Sequence, residues 1–277
     1  MKPAPFTYVR PRDLQHALHV AAEEQGLAKF VAGNQTLGPM MNLRLAQPEL
    51  LIDISVLSEL RSCSEESGRV LLGGGVTHAM IEDGRVPDPS AGLLVRAASS
   101  LAYRSVRNRG TIGGSLAHAD PSAEWPTVFT ALDADVHLKS ATGTRSLPVD
   151  AFLTGAMTTA LEDQEIVEAV SVPRLQAGVR WGYHKICRKA GEFANAMAVV
   201  ILGDSGGSRA VLGALDRTPL KLKAVADRLE AGDGDESALR AAMNEDTEEA
   251  GFRLDDYEQE LHWAALRRAV RRHETND

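Results

Sequence analysis

The sequence predicts a protein of mixed helices and strands in two or three lobes, and three observations carry that prediction. At 277 residues the chain exceeds one typical domain. Up to about residue 175, stretches of helical period alternate with short apolar strands. From about residue 176 charge density rises, and the chain ends in a helical pattern. With 44% apolar and 25% charged residues, the balance is that of a globular chain and excludes wholesale disorder.

Taken in order, Leu14, Ala17, Leu18 and Ala21 form one apolar helix face, with Asp13 placed to cap it. Lys29 to Ala32 reads as a strand that stops at Gly33, and Leu37 to Leu45 as a short helix carrying Arg44. Leu50 to Ile54 is a continuous apolar strand of the buried parallel type. Arg69 to Leu72 is a strand entering the turn Gly73-Gly74-Gly75. Ala91, Leu94, Val95, Ala98 and Leu101 mark an amphipathic helix. Gly110 to Glu124 is so dense in glycine and small residues that it reads as a loop between regular elements. Helical character resumes over Glu124 to Leu132. Val136 to Lys139 and Glu165 to Val172 read as strands, the latter closed by Pro173. In the terminal helix Leu261, Ala265 and Ala269 share a face, while Arg267, Arg268, Arg271 and Arg272 suit the negative end of a helix dipole.

Composition narrows the function classes. A net charge of −8 disfavours a reader of nucleic-acid phosphates. No run of eighteen apolar residues is present to span a bilayer, and the start MKPAPFTYVRPRD lacks the apolar core of a secretory signal. Cys63 and Cys187 are the only cysteines, too few for an all-cysteine iron–sulfur cluster or structural zinc. The expectation is a reducing cytoplasm, with both thiols unreactive.

Phosphate-binding motifs follow. There is no GxxxxGK[ST], and Gly73, Gly75 and then His78 fail the third glycine of GxGxxG. Two other loops have the chemistry for an anionic diphosphate: Ala32-Gly33-Asn34-Gln35-Thr36-Leu37 and Thr111-Ile112-Gly113-Gly114-Ser115. Small side chains let backbone N–H groups converge on an anion, and Thr36, Thr111 and Ser115 add hydroxyl donors. Such a site needs no net positive charge. Ser115, His118 and Asp120 crowd into one loop and do not make a catalytic triad. Neither do His118, Asp120 and Glu124 show the helical HxxxH spacing of a metal site.

The run VRNRGTIGGSLAHADPSAE, Val106 to Glu124, resembles the second flavin-binding segment of the medium subunit of molybdenum hydroxylases, the carbon monoxide dehydrogenase and xanthine dehydrogenase family. FTYVRP, AGNQTL, LRLAQPELLIDIS, LEDQEIVEAVSVP and YHKICRKAGEFA follow the family's order and spacing. Asn34 departs from the second glycine usual in bacterial members.

The resemblance implies an α+β fold: two α/β lobes of the PCMH-type FAD-binding fold, 1–57 and 58–175, with FAD clamped between them. A C-terminal domain, 176–277, would add a three-stranded antiparallel sheet with helices. It implies that both glycine loops cradle the FAD pyrophosphate, and that Asp120 and Glu124 lie near ribityl or ribose hydroxyls. Ile166 or Val167 would pack against the ring system, Lys185 would place a cation at the flavin's pyrimidine edge, and Phe193 would shield the isoalloxazine. No residue of the chain would be catalytic or bind metal. The implied role is electron transfer from two [2Fe–2S] clusters on a small subunit, through FAD, to a terminal acceptor. Substrate would be hydroxylated on a large molybdenum-cofactor subunit, in a heterotrimer that is commonly doubled. The alternatives are a stand-alone FAD oxidase of the same superfamily and a nucleotide-binding regulatory module without redox activity.

Overall fold

The computed structural model describes residues 2–24, 28–203 and 206–272. In the first lobe β1 (Thr7–Val9), α1 (Leu14–Glu23), β2 (Ala28–Val31), α2 (Leu37–Asn42) and β3 (Leu50–Asp53) alternate. The three strands form a parallel sheet in the order β1-β3-β2. The central strand β3 is buried along its whole length, which is why its sequence is an unbroken apolar run ending in Asp53. Asp13 caps α1 through a 2.7 Å bond from the His16 N–H. Helix α2 ends at Asn42, short of Arg44, which lies outside it at a φ of 59°. There the Arg44 N–H bonds Met41 O at 2.9 Å and the Leu45 N–H bonds Met40 O at 2.8 Å, the pairing that closes a helix through a left-handed residue.

The second lobe begins with β4 (Cys63–Glu66), β5 (Arg69–Gly73), α3 (His78–Glu82), α4 (Leu93–Ser100) and α5 (Arg104–Arg107). Then come α6 (Ile112–His118), α7 (Glu124–Ala131), β6 (Asp135–Lys139), β7 (Thr144–Pro148), α8 (Val149–Phe152) and the small hairpin β8 (Leu153–Gly155) and β9 (Thr158–Thr159). Strand β10 (Ile166–Pro173) inserts between β5 and β6 to give a five-stranded sheet, β4-β5-β10-β6-β7. Every neighbour in it is antiparallel, unlike the parallel sheet of the first lobe.

Two expectations are corrected here. Gly110 to Glu124 is not all loop, because α6 occupies its centre. Glycine and serine lower its intrinsic helix propensity, but tertiary packing outweighs that cost. Thr111 caps Gly114 N–H at 3.1 Å, and Ile112 and Leu116 anchor the helix in the core. The C-terminal sheet has four strands, not three: β11 (Arg180–Ile186), β12 (Ala196–Leu202), β13 (Arg209–Gly213) and β14 (Leu220–Lys221). The fourth is two residues long, too short to show a period in sequence.

Helices α9 (Lys223–Glu230), α10 (Glu236–Glu249) and α11 (Asp256–Arg271) cover one face of that sheet. Strand β12 joins two cores. Met197, Val199 and Ile201 pack with the second lobe, whereas Ala196, Ala198 and Val200 pack with the C-terminal helices. The basic end of α11 is partly neutralised, since Arg267 and Arg271 both reach Glu236.

Candidate functional site

A cleft of about 870 Å³ lies between the first two lobes and is closed along one side by the C-terminal domain. Sixteen of the seventeen residues selected from sequence line it: Ala32 to Leu37, Thr111, Gly113, Gly114, Ser115, Asp120, Glu124, Ile166, Val167, Lys185 and Phe193. Ile112 does not. As the first residue of α6 it is fully buried in the hydrophobic core of the second lobe, and its N–H bonds Val76 O at 3.1 Å. Its place in a glycine-rich string hid its apolar, core-facing role.

The first loop leaves β2 at the C-terminal edge of the parallel sheet. Among the described residues, the N–H groups of residues 34–38 donate to no protein acceptor. Asn34 turns the chain in the left-handed region, with φ 57°. Gln35 Nε2 donates to Gly33 O at 2.9 Å and braces the turn from within. A short series of unpaired amides at a bend is a concave anion site made of backbone dipoles. A Cβ on Gly33 would sit 2.1 Å from Arg109 O, so glycine is what lets the first loop touch the second.

The second loop works differently from the converging amides expected of it. Gly113 N–H donates to Gly74 O at 2.9 Å, Gly114 N–H to the Thr111 hydroxyl at 3.1 Å, and Ser115 N–H to Thr111 O at 3.0 Å. What it offers the cleft is therefore open space and hydroxyls. A Cβ on Gly114 would meet only Thr111 Oγ1, at 3.0 Å. Thr111 Oγ1 already accepts from Gly114, which leaves its proton to donate outward. Below, backbones are stacked directly: a Cβ on Gly113 would fall 2.7 Å from Gly74 O, and one on Gly74 2.0 Å from Val167 O. That stacking places Ile166 and Val167, at the start of β10, beneath the loops.

Lys185 and Glu124 meet in the cleft wall. Lys185 Nζ donates to Glu124 Oε1 at 2.6 Å, and the side chains are 6% and 3% exposed. A second, longer contact runs from Nζ to Ser100 O at 3.4 Å. Glu124 is thus held by the lysine at the first turn of α7. Burial pushes its carboxyl above the usual range, and the neighbouring ammonium opposes that shift. Asp120 is half-buried, its Oδ1 accepting from Ser122 N–H at 2.9 Å. Phe193 stands at the rim, 67% exposed.

One cleft residue had no signal in the sequence beyond spoiling a motif. His78 is buried, and its Nδ1 accepts from the Trp125 indole at 2.9 Å. Burial, with a smaller contribution from Arg107, depresses its pKa to about 4, so the ring is neutral and carries its proton on Nε2. Its backbone N–H donates to Gly110 O at 3.0 Å, and a Cβ on Gly110 would lie 2.7 Å from Nε2. His78 props the base of the second loop. Among the described residues no cluster of His, Cys, Asp or Glu could hold a metal ion. No helix there is long and apolar enough to cross a membrane.

The donor set therefore suits an anionic dinucleotide: unpaired amides on one side, open glycine and hydroxyls on the other, and apolar backing below. Residues 4–175 match the family model described as the FAD binding domain in molybdopterin dehydrogenase. The carbon monoxide dehydrogenase medium chain of Hydrogenophaga pseudoflava is 36% identical over 208 residues, 75% of this chain and 72% of that protein. The nicotine 6-hydroxylase medium subunit of Paenarthrobacter nicotinovorans is 33% identical over 270 residues, 96% of this chain and 92% of that one. A solved structure of the H. pseudoflava carbon monoxide dehydrogenase, lacking the Mo-pyranopterin moiety, superposes with a TM-score of 0.88 at 33% identity. That match covers 98% of both chains.

Proposed function

The chain belongs to the family of FAD-binding domains of molybdopterin dehydrogenases, and from that premise we propose that it is the electron-transferring medium subunit of a heterotrimeric molybdenum hydroxylase. It is an FAD-binding oxidoreductase subunit. In the proposed complex a small subunit with two [2Fe–2S] clusters delivers electrons, a large molybdenum-cofactor subunit oxidises the substrate, and the heterotrimer is doubled.

FAD, when bound, supplies a centre that accepts electrons singly and releases them in pairs. The remaining work falls to this chain's residues. The amides of residues 34–38 would hold the diphosphate, and Thr111 and Ser115 would add hydroxyl donors beside the open Gly114. Ile166 and Val167, which line the cleft, would exclude water from the ring system, and the exposed Phe193 would shield it. Lys185 would contribute positive charge to the ring, moderated by its pairing with Glu124. The observation that carries this reading is a row of free amides and a side-chain-free Gly114 lining one cleft.

A visible spectrum of the purified chain after addition of FAD tests the binding role. Flavin bands at one per chain, released by acid, are expected; their absence refutes the residue assignment. Co-purification with two further polypeptides, iron and molybdenum tests the assembly, and isolation as a lone active oxidase overturns it.

A further inference from the structure

Next to the two glycine loops lies a second pocket of about 100 Å³. It is several times the roughly 10–15 Å³ that a single water requires. Its walls come from both lobes, with Ser55 from the first and Arg61, Thr77, Asn108, Arg109 and Thr111 from the second.

The pocket is lined with spare donors. Arg61 gives one N–H to Ser55 O at 2.6 Å, and Arg109 gives Nε to Gly33 O at 3.4 Å. Neither guanidinium forms an ion pair with a carboxylate among the described residues, and each keeps further N–H groups to donate. Thr77 Oγ1 accepts from Met80 N–H at 3.2 Å and Thr111 Oγ1 from Gly114 N–H at 3.1 Å, so both hydroxyl protons remain available. Asn108 Oδ1 accepts from Arg104 Nε at 2.9 Å, which leaves its amide protons free. No carboxylate lines the pocket. Asp53, bonded to the lining residue Ser55, also accepts from Tyr8, and Arg10 stands 3.8 Å away. Ser55 Oγ gives its proton to Asp53 and so offers the pocket an acceptor only.

Two positive charges with three further donors and no carboxylate in the lining make a site for an anion, and the planar guanidinium fork matches oxygen pairs of a tetrahedral oxyanion. We propose that this pocket binds one small free oxyanion of the phosphate class, held by Arg61 and Arg109 of the second lobe, each of which also donates to backbone of the first. It is distinct from the FAD cleft but shares Ala32, Gly33, Ile54 and Thr111 with it. The bound anion would therefore lie against the same two loops.

The test is calorimetric titration of inorganic phosphate into the full chain, with chloride at equal ionic strength as reference, on flavin-loaded and flavin-free protein. One saturable site per chain is expected in both forms. Arg61→Gln with Arg109→Gln should weaken it at least tenfold, and Arg61→Gln alone, at an exposed position, should do so in part. Arg44→Gln, an exposed arginine outside the pocket, should leave it unchanged. Absence of saturable binding to the parent chain overturns the proposal, as does equal binding by the double variant. Loss of phosphate binding on loading FAD also overturns it, because the anion would then belong in the large cleft. Failure of FAD to load would refute the cofactor assignment and leave the phosphate result standing by itself.

Discussion

Removing Lys185 exposes the electrostatics of the cleft wall most sharply. In Lys185→Met a side chain of similar length replaces the ammonium that lies 2.6 Å from Glu124, in a pair only 6% and 3% exposed. Breaking a buried pair by deleting one partner costs about 3–5 kcal/mol when the other must stay charged. Glu124 has an alternative, which is to take up a proton. Burial already raises its pKa, and Lys185 is the main group opposing that rise, so the variant lifts the carboxyl further. The native state then holds a proton that the unfolded chain, with an ordinary carboxylate, has released. Stability must therefore fall as pH rises above the unfolded value, at up to about 1.4 kcal/mol per pH unit, and level off once pH passes the raised native pKa. Urea unfolding between pH 4.5 and 8 measures this. The variant should approach the parent chain near the acid end and diverge from it with increasing pH. Glu124→Gln, which has no carboxyl to titrate, should be destabilised without that slope. The double variant should recover at least about 1 kcal/mol relative to the sum of the single losses. A Lys185→Met deficit that is constant with pH, or additive single losses, would refute the reasoning.

Further predictions concern the loops and the titrating core. Gly33→Ala places a methyl 2.1 Å from Arg109 O, so the loops must separate; a loss of about 1–3 kcal/mol in chemical unfolding and weakened FAD retention are expected. Gly114→Val meets only a hydroxyl and should fold near normally, yet lose flavin because its side chain fills the space opposite the free amides; stoichiometric flavin in that variant counts against the second loop's role. In flavin-loaded protein, Lys185→Met should lower the flavin midpoint potential and Glu124→Gln should raise it, read by spectroelectrochemistry; shifts of the same sign contradict the pairing. His78 and His262 are buried with pKa values depressed to about 4, so the unfolded chain binds protons that the native state refuses. Stability should accordingly fall as pH drops from 6.5 toward 4, and His262→Asn should flatten that dependence in thermal unfolding.

Much of this architecture is legible in the residues because burial leaves a period. The face of α1, its Asp13 cap and the unbroken run of β3 each record a local rule that the tertiary structure obeys. The same holds for the first loop, whose shape follows from a strand that must stop at Gly33. Where long-range packing decides, the sequence is mute. Helix α6 is built on two glycines that make it look like loop, and only the stacked backbones of Gly74 and Val167 explain why it is helical there. Glu124 carries no sign of its partner, because Lys185 is brought to it by a strand of another lobe. His78 and the four-stranded C-terminal sheet were hidden for the same reason, since a single buried imidazole or a two-residue strand has no pattern to repeat.

The central claim is that the amides of residues 34–38 and the gap at Gly114 hold the diphosphate of FAD. Equilibrium titration of the flavin-free chain with FAD, set beside titration with riboflavin, tests it most directly. Stoichiometric FAD binding is expected, with riboflavin binding weaker by at least a hundredfold and FAD affinity reduced to the riboflavin level by Gly114→Val. Equal affinity for the two flavins would contradict it, because the diphosphate would then contribute nothing to the site.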